Sequence, residues 1–164
     1  MKKLSLLFTL LLLNSLSAQV QLGADIDGEA AGDESGTSVS LSSDGTTLAI
    51  GAWGNGGNGI FAGHVRIYEY NAGSWTQLGA DIDGEAAYDQ SGYSVSLSSD
   101  GTTVAIGASG NDGNGSWYGG HVRIYEYSAG SWTQLGADID GEAAYDYSGR
   151  SVSLIFEVGD ERRC

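Results

Sequence analysis

The chain repeats itself. The segment WTQLGADIDGEAAYDQSGYSVSLSSDGTTVAIGA starts at Trp75, and its counterpart QLGADIDGEAAGDESGTSVSLSSDGTTLAIGA starts at Gln21. A third copy, WTQLGADIDGEAAYDYSGRSVSL, starts at Trp132 and keeps its identity to Leu154. The period is about 56 residues, which is the mark of stacked units rather than of one irregular core. A unit of this size cannot cover its own apolar face, so each repeat must bury itself against the next.

Within the second repeat, residues 93–98 (YSVSLS) alternate apolar and small polar side chains, as a half-buried strand does. Ser-Asp-Gly-Thr at 99–102 is a hairpin signal, and 103–108 (TVAIGA) is the return strand. Val95, Leu97, Val104 and Ile106 share one face. Ser94, Ser96, Ala105 and Gly107 give the opposite face a small profile that a neighbouring sheet can approach closely. After a Gly/Asn-rich loop, 121–127 (HVRIYEY) reads as a third strand, with Val122 and Ile124 on one side and Arg123, Tyr125 and Tyr127 on the other. Ser128-Ala129-Gly130 turns the chain into a fourth strand, 131–135. Four strands in sequence form an antiparallel meander, the blade of a β-propeller. The expected fold is therefore all-β, built of β-propeller-type four-stranded antiparallel meander repeats. It is an incomplete propeller of about two blades plus flanking strands. The blades are expected at about 35–91 and 92–148, within a repeat region 19–154 that opens on a partial strand at 20–22 and carries a partial third repeat to 154.

The ends read differently. Met1-Lys2-Lys3, the apolar run 4–13 and the small residues up to Ala18 form a signal peptide over 1–18, which places the product outside the cell, secreted or at the cell surface. No later segment is apolar enough to span a bilayer, so no membrane span is expected after signal cleavage. Without Lys2 and Lys3, five basic residues stand against 21 acidic ones, a net charge near −16. Such a surface repels nucleic acid and anionic lipid, so nucleic acid is excluded as a partner. Cys164 is the sole cysteine, which rules out an intrachain disulfide. Residues 155–164 depart from the repeat as a divergent tail, where the template calls for another Ser-Ser-Asp-Gly-Thr-Thr hairpin. The expectation is a reading frame cut short within a longer protein; the alternative is a genuine final strand, with 155–158 extending 151–154. Two blades leave apolar faces uncovered, and self-association through them is the corresponding expectation.

The run SGxSVSLSSDGTTxAIGA, followed by GHVRIYEY and SWTQLG, resembles the FG-GAP repeats of bacterial exported proteins and of the integrin α-subunit propeller. Ser91-Gly92 stands where that family has Phe-Gly, and Gly107-Ala108 where it has Gly-Ala-Pro; Ser35-Gly36 and Gly51-Ala52 are the equivalents in the first repeat. The resemblance implies a β-propeller with adhesion and ligand-binding roles outside the cell. Integrin-type repeats carry calcium in the hairpin between their first two strands. Here that hairpin holds one carboxylate, Asp44 or Asp100, so those ligands do not carry over.

A different segment has cation spacing of its own. Asp81, Asp83, Glu85 and Asp89 occupy loop positions 1, 3, 5 and 9, and the pattern recurs as Asp25, Asp27, Glu29, Asp33 and as Asp138, Asp140, Glu142, Asp146. Calcium accepts such odd-position carboxylates, and it is the one cofactor the sequence suggests; the other reading is an acidic connection whose Asp side chains cap turns and face water. His64 and His121 open equivalent strands without a nearby second ligand, and no zinc motif is legible. No catalytic constellation stands out from the abundant Ser and Asp, so no enzyme is expected. Trp53, Phe61, Trp117 and Tyr118 lie in the variable Gly-rich loops, placed either to stack on sugars and anchor a partner or to pack between blades. The expected function is that of an exported non-enzymatic repeat protein, a fragment of a surface adhesion or ligand-binding propeller whose partner is an extracellular protein or glycan. The alternatives are the propeller portion of a secreted glycan-processing enzyme, or a truncated product without independent function.

Overall fold

The computed structural model describes residues 19–155. The signal segment, most of the divergent tail and Cys164 lie outside them. Among the described residues ten strands follow one another: β1 Ser38–Leu41, β2 Thr47–Ala52, β3 His64–Asn71, β4 Ser74–Gln77, β5 Ile82–Asp83, β6 Ser91–Leu97, β7 Thr103–Ala108, β8 His121–Ser128, β9 Ser131–Gln134 and β10 Ile139–Asp140. They form two five-stranded antiparallel sheets, one per repeat, stacked side by side and not closed into a ring. Among the described residues, no helix is long and apolar enough to cross a membrane.

Each meander begins with the Asp-Gly hairpin. Asp44 Oδ1 accepts from Ser42 Oγ at 2.7 Å and from the Thr46 N–H and Oγ1 at 2.9 Å. Asp100 repeats this with Ser98 and Thr102. These hydrogen bonds favour the ionised carboxylate and hold both aspartates below the ordinary pKa. The third strand pairs with the second along one edge and is long enough to serve two partners on the other. Tyr68–Asn71 of β3 pairs with β4, while His64 and Val65 pair with Asp83 and Ile82 of β5. The second repeat does the same with β8, β9 and β10.

The two faces of a blade are complementary. Val95, Leu97, Val104 and Ile106 of the second sheet pack on Ala49, Val65 and Ile67 of the first, with Ile82 from the connection. Ser38, Ser40 and Gly51 keep that side of the first blade shallow. Ser38 Oγ donates to the Gly92 carbonyl at 2.7 Å, and Ser40 Oγ accepts from the Leu97 N–H at 2.9 Å. A Cβ on Gly51 would strike the Gly92 carbonyl oxygen, so the side chain is absent where the sheets come closest. Coverage separates otherwise equivalent residues: Val95 and Leu97 are 8% and 5% exposed, whereas Val39 and Leu41 are 59% and 53% exposed on the outer face of the first sheet. Ser94 Oγ and Ser96 Oγ bond residues of the third repeat as Ser38 and Ser40 bond the second, to Gly149 O and from Leu154 N.

Two expected flanking strands do not form. Residues 20–22 join no ladder among the described residues, although the Leu22 carbonyl accepts from Trp75 Nε1 at 2.9 Å. Residues 151–154 lie along the second sheet but lack a hairpin partner, so no ladder forms there. Ile155 is exposed, and the rest of the alternative final strand, 156–158, lies outside the described residues.

Candidate functional site

The carboxylate pattern divides by position once folded. At position 9, Asp33 and Asp89 are buried and cap their own turns. Asp33 Oδ2 accepts from the Ala30 N–H and from Asn55 Nδ2, both at 3.0 Å. Asp89 accepts from the Glu85 and Ala86 N–H groups and from Asn111 Nδ2. Asp146 makes the same turn with Ala143 N–H in the third copy. At position 1, Asp25, Asp81 and Asp138 each accept from the glutamine four residues earlier. At position 3, Asp83 and Asp140 join the short strands β5 and β10, and Asp27 offers its backbone carbonyl to Arg66 Nη2 at 2.7 Å. At position 5, Glu29 and Glu85 reach toward the third strand, and Glu142 is exposed.

The fold also joins carboxylates of successive loops. Among the described residues, the groups of three potential metal ligands that close to within 4.8 Å are Glu29, His64, Asp81 and Glu85, His121, Asp138. Each takes its glutamate from one loop, its histidine from the start of the third strand, and its aspartate from the next loop. β5 and β10 fasten the later loop to that histidine strand, which is why the aspartate arrives there. Histidines that carry no local ligand spacing acquire two carboxylate neighbours through the repeat.

The second cluster also contains a cation. Arg123 Nε and Nη2 donate to Asp138 Oδ1 and Oδ2 at 2.9 and 2.8 Å, and Nη2 also pairs with Glu85. Burial opposes the charge on Arg123, but the bonds to Asp138 and Glu85 outweigh it and raise the guanidinium pKa. The same bond holds Asp138 below the usual carboxylate range. Burial, and then the Arg123 charge, push the His121 imidazole pKa down. Beside this cluster lies an acidic cavity of about 430 Å³, lined by Glu85, Asp89, Asn111, Asp112, Asp138 and Asp140. The hairpin that holds calcium in integrin-type repeats does not fit it here: Asp44 Oδ1 and Asp100 Oδ1 are each committed to three bonds inside the turn.

The Gly-rich loops gather aromatic rings around the same connections. Trp53 is half-buried between Phe61 and Tyr93, so this ring packs between blades. Phe61, Tyr88, Trp117, Tyr118, Tyr145 and Tyr147 are exposed. Tyr118, Tyr145 and Tyr147 lie within 5.7–6.5 Å of one another, and Phe61 lies 6.1 Å from Tyr88. These five rings all sit on left-handed backbone, with φ between 52° and 72°. Bulky residues rarely adopt that region.

Residues 80–125 match the family model described as FG-GAP repeat. The chain carries an FG-GAP repeat. The match spans the end of the first sheet and most of the second, and the first sheet repeats the same strand order and register. No curated protein matches the chain. The FG-GAP assignment agrees with an all-β stack of propeller-type blades, and repeats of this kind are typically extracellular.

Proposed function

We propose that the chain is an exported, non-enzymatic adhesion or ligand-binding module that contacts an extracellular glycan through the aromatic rim formed by its Gly-rich loops and the acidic connections beside them. The observation that carries this reading is the backbone of the rim. Phe61, Tyr88, Tyr118, Tyr145 and Tyr147 are solvent-exposed rings on positive-φ residues. Each such position costs on the order of 1–2 kcal/mol, set against ring pairs worth about 0.5–1.5 kcal/mol. Strain kept at exposed aromatic positions is the pattern of a recognition surface. Two equivalent clefts, lined by none of the rim residues, add concave surface that suits a sugar better than a flat protein face. One, of about 260 Å³, is lined by Asp25, Asp27, Tyr68 and Trp75; the other, of about 250 Å³, by Asp81, Asp83, Tyr125 and Trp132. An aromatic wall with carboxylate acceptors suits a ring that offers an apolar face and hydroxyl donors. Two clefts one repeat apart suit a ligand that is itself repetitive.

A glycan array tests this. The wild type is expected to retain at least one polysaccharide, and Y118A/Y145A to lose that signal at least tenfold with an unchanged far-UV circular dichroism spectrum. Absence of any glycan signal, or a signal indifferent to the two rings, contradicts the proposal. Calcium is proposed as an auxiliary cation of the acidic cavity, supported by its oxygen donors. A rise in melting temperature at millimolar calcium is expected, and no shift sinks that part.

A further inference from the structure

Beyond the calcium reading, the geometry points to a pair of sites for a transition-metal dication of the zinc class, at Glu29, His64, Asp81 and at Glu85, His121, Asp138. The buried imidazoles carry the inference. His64 is 2% exposed and His121 3% exposed, and His121 Nδ1 has no hydrogen-bond partner among the described residues. That atom faces Asp138 Oδ2 at 3.7 Å, and His64 Nδ1 faces Glu29 Oε2 at 3.9 Å and Asp81 Oδ2 at 3.8 Å. These separations are too long for hydrogen bonds. They lie within a few tenths of an ångström of the edge, roughly 3.4 Å, of a tetrahedron with metal–ligand bonds near 2.1 Å. An imidazole nitrogen and two carboxylate oxygens form a three-ligand set that leaves a fourth position for water or an outside group. Calcium, a hard ion that takes oxygen, has no use for the nitrogen.

The two copies differ in the arginine two residues after each histidine, within the same strand. Arg123 bridges Glu85 and Asp138, so a metal there must displace it. Arg66 instead donates to the Asp27 carbonyl and stays 3.9 Å from Glu29 Oε1. The first site therefore lacks a bridging guanidinium, its Glu29 Oε2 accepting only a long bond from Asn55 Nδ2 at 3.4 Å, and it takes metal more tightly. The Arg66 geometry also shows where Arg123 can go: the equivalent acceptor in its repeat is the Asp83 carbonyl.

Cobalt(II), which reports tetrahedral coordination in its visible spectrum, is the probe, titrated into the purified chain with zinc and calcium as competitors. The expected result is a first equivalent that binds at least tenfold more tightly than the second, displaced by zinc and not by calcium. H64Q should weaken the tight step at least tenfold and H121Q the weak one. Because both histidines are buried, E29Q and D81N provide the second pair of variants. Their carboxyl groups are at least partly exposed, and the tight step should weaken in each while far-UV circular dichroism is unchanged. No cobalt binding, or binding unaffected by E29Q and D81N, overturns the proposal. Displacement of cobalt by calcium with equal ease also overturns it and leaves the calcium reading standing.

Discussion

Ala72 and Ala129 show how the fold is held at single positions. Each is the first central residue of the hairpin between the third and fourth strands, followed by Gly73 or Gly130, and all four residues have positive φ. Both central residues left-handed is the type I′ arrangement, which favours Asn-Gly because Asn tolerates that region better than a residue with an unsupported Cβ. A72N and A129N should each stabilise the chain by about 0.5–1 kcal/mol, read from the urea midpoint. An unchanged or lowered midpoint would show that the turn does not carry this strain. Positions of this kind were partly legible. Ser-Ala-Gly announces a turn, and Ser-Asp-Gly-Thr announces a hairpin, because their chemistry is local. The left-handed tyrosines of the rim were not, since nothing in the composition of Tyr145 or Tyr147 signals a positive φ.

At the scale of the element, the Asp-Gly hairpin gives a pH signature. The Asp100 pKa lies below its ordinary 3.8, chiefly through the Ser98 hydroxyl and then the Thr102 N–H and hydroxyl; Asp44 is lowered chiefly through the Thr46 N–H. A carboxylate depressed by folding contributes stability that is present above the unfolded pKa and lost as pH falls through the folded one. Both hairpins are solvent-exposed, so the contribution is small. Melting temperature should fall more steeply below about pH 4 in the wild type than in D44N/D100N. Parallel curves would place the acid sensitivity elsewhere. The strands joined by these hairpins were legible from alternation alone, as at 93–98 and 103–108. β5 and β10 were not, because two residues inside an acidic run carry no period. The histidine clusters were hidden for a related reason. Glu29, His64 and Asp81 come from three separate segments, and only the pairing of β5 with β3 brings the last to the second.

For the whole molecule, stability rests on stacking rather than on any one sheet. The second blade buries its large apolar face on the shallow Ser/Ala/Gly face of the first, and the first presents the same large face outward. The sequence already implied this complementarity, since large and small residues alternate along each strand; which copy is covered follows only from the order of the repeats in space. Leu41 and Leu97 make the test, because they occupy the same position in the same Ser-Leu-Ser-Ser-Asp-Gly context and differ only in what lies over them. The measurement is the unfolding free energy of L41K and L97K in urea, at dilution low enough to keep single chains. Stacking predicts that L97K loses at least about 3 kcal/mol or fails to fold, as a lysine forced between two sheets should. It predicts that L41K stays within about 0.5 kcal/mol of the wild type, as for an exposed substitution. Equal losses in the two variants would contradict the stacked arrangement of the blades.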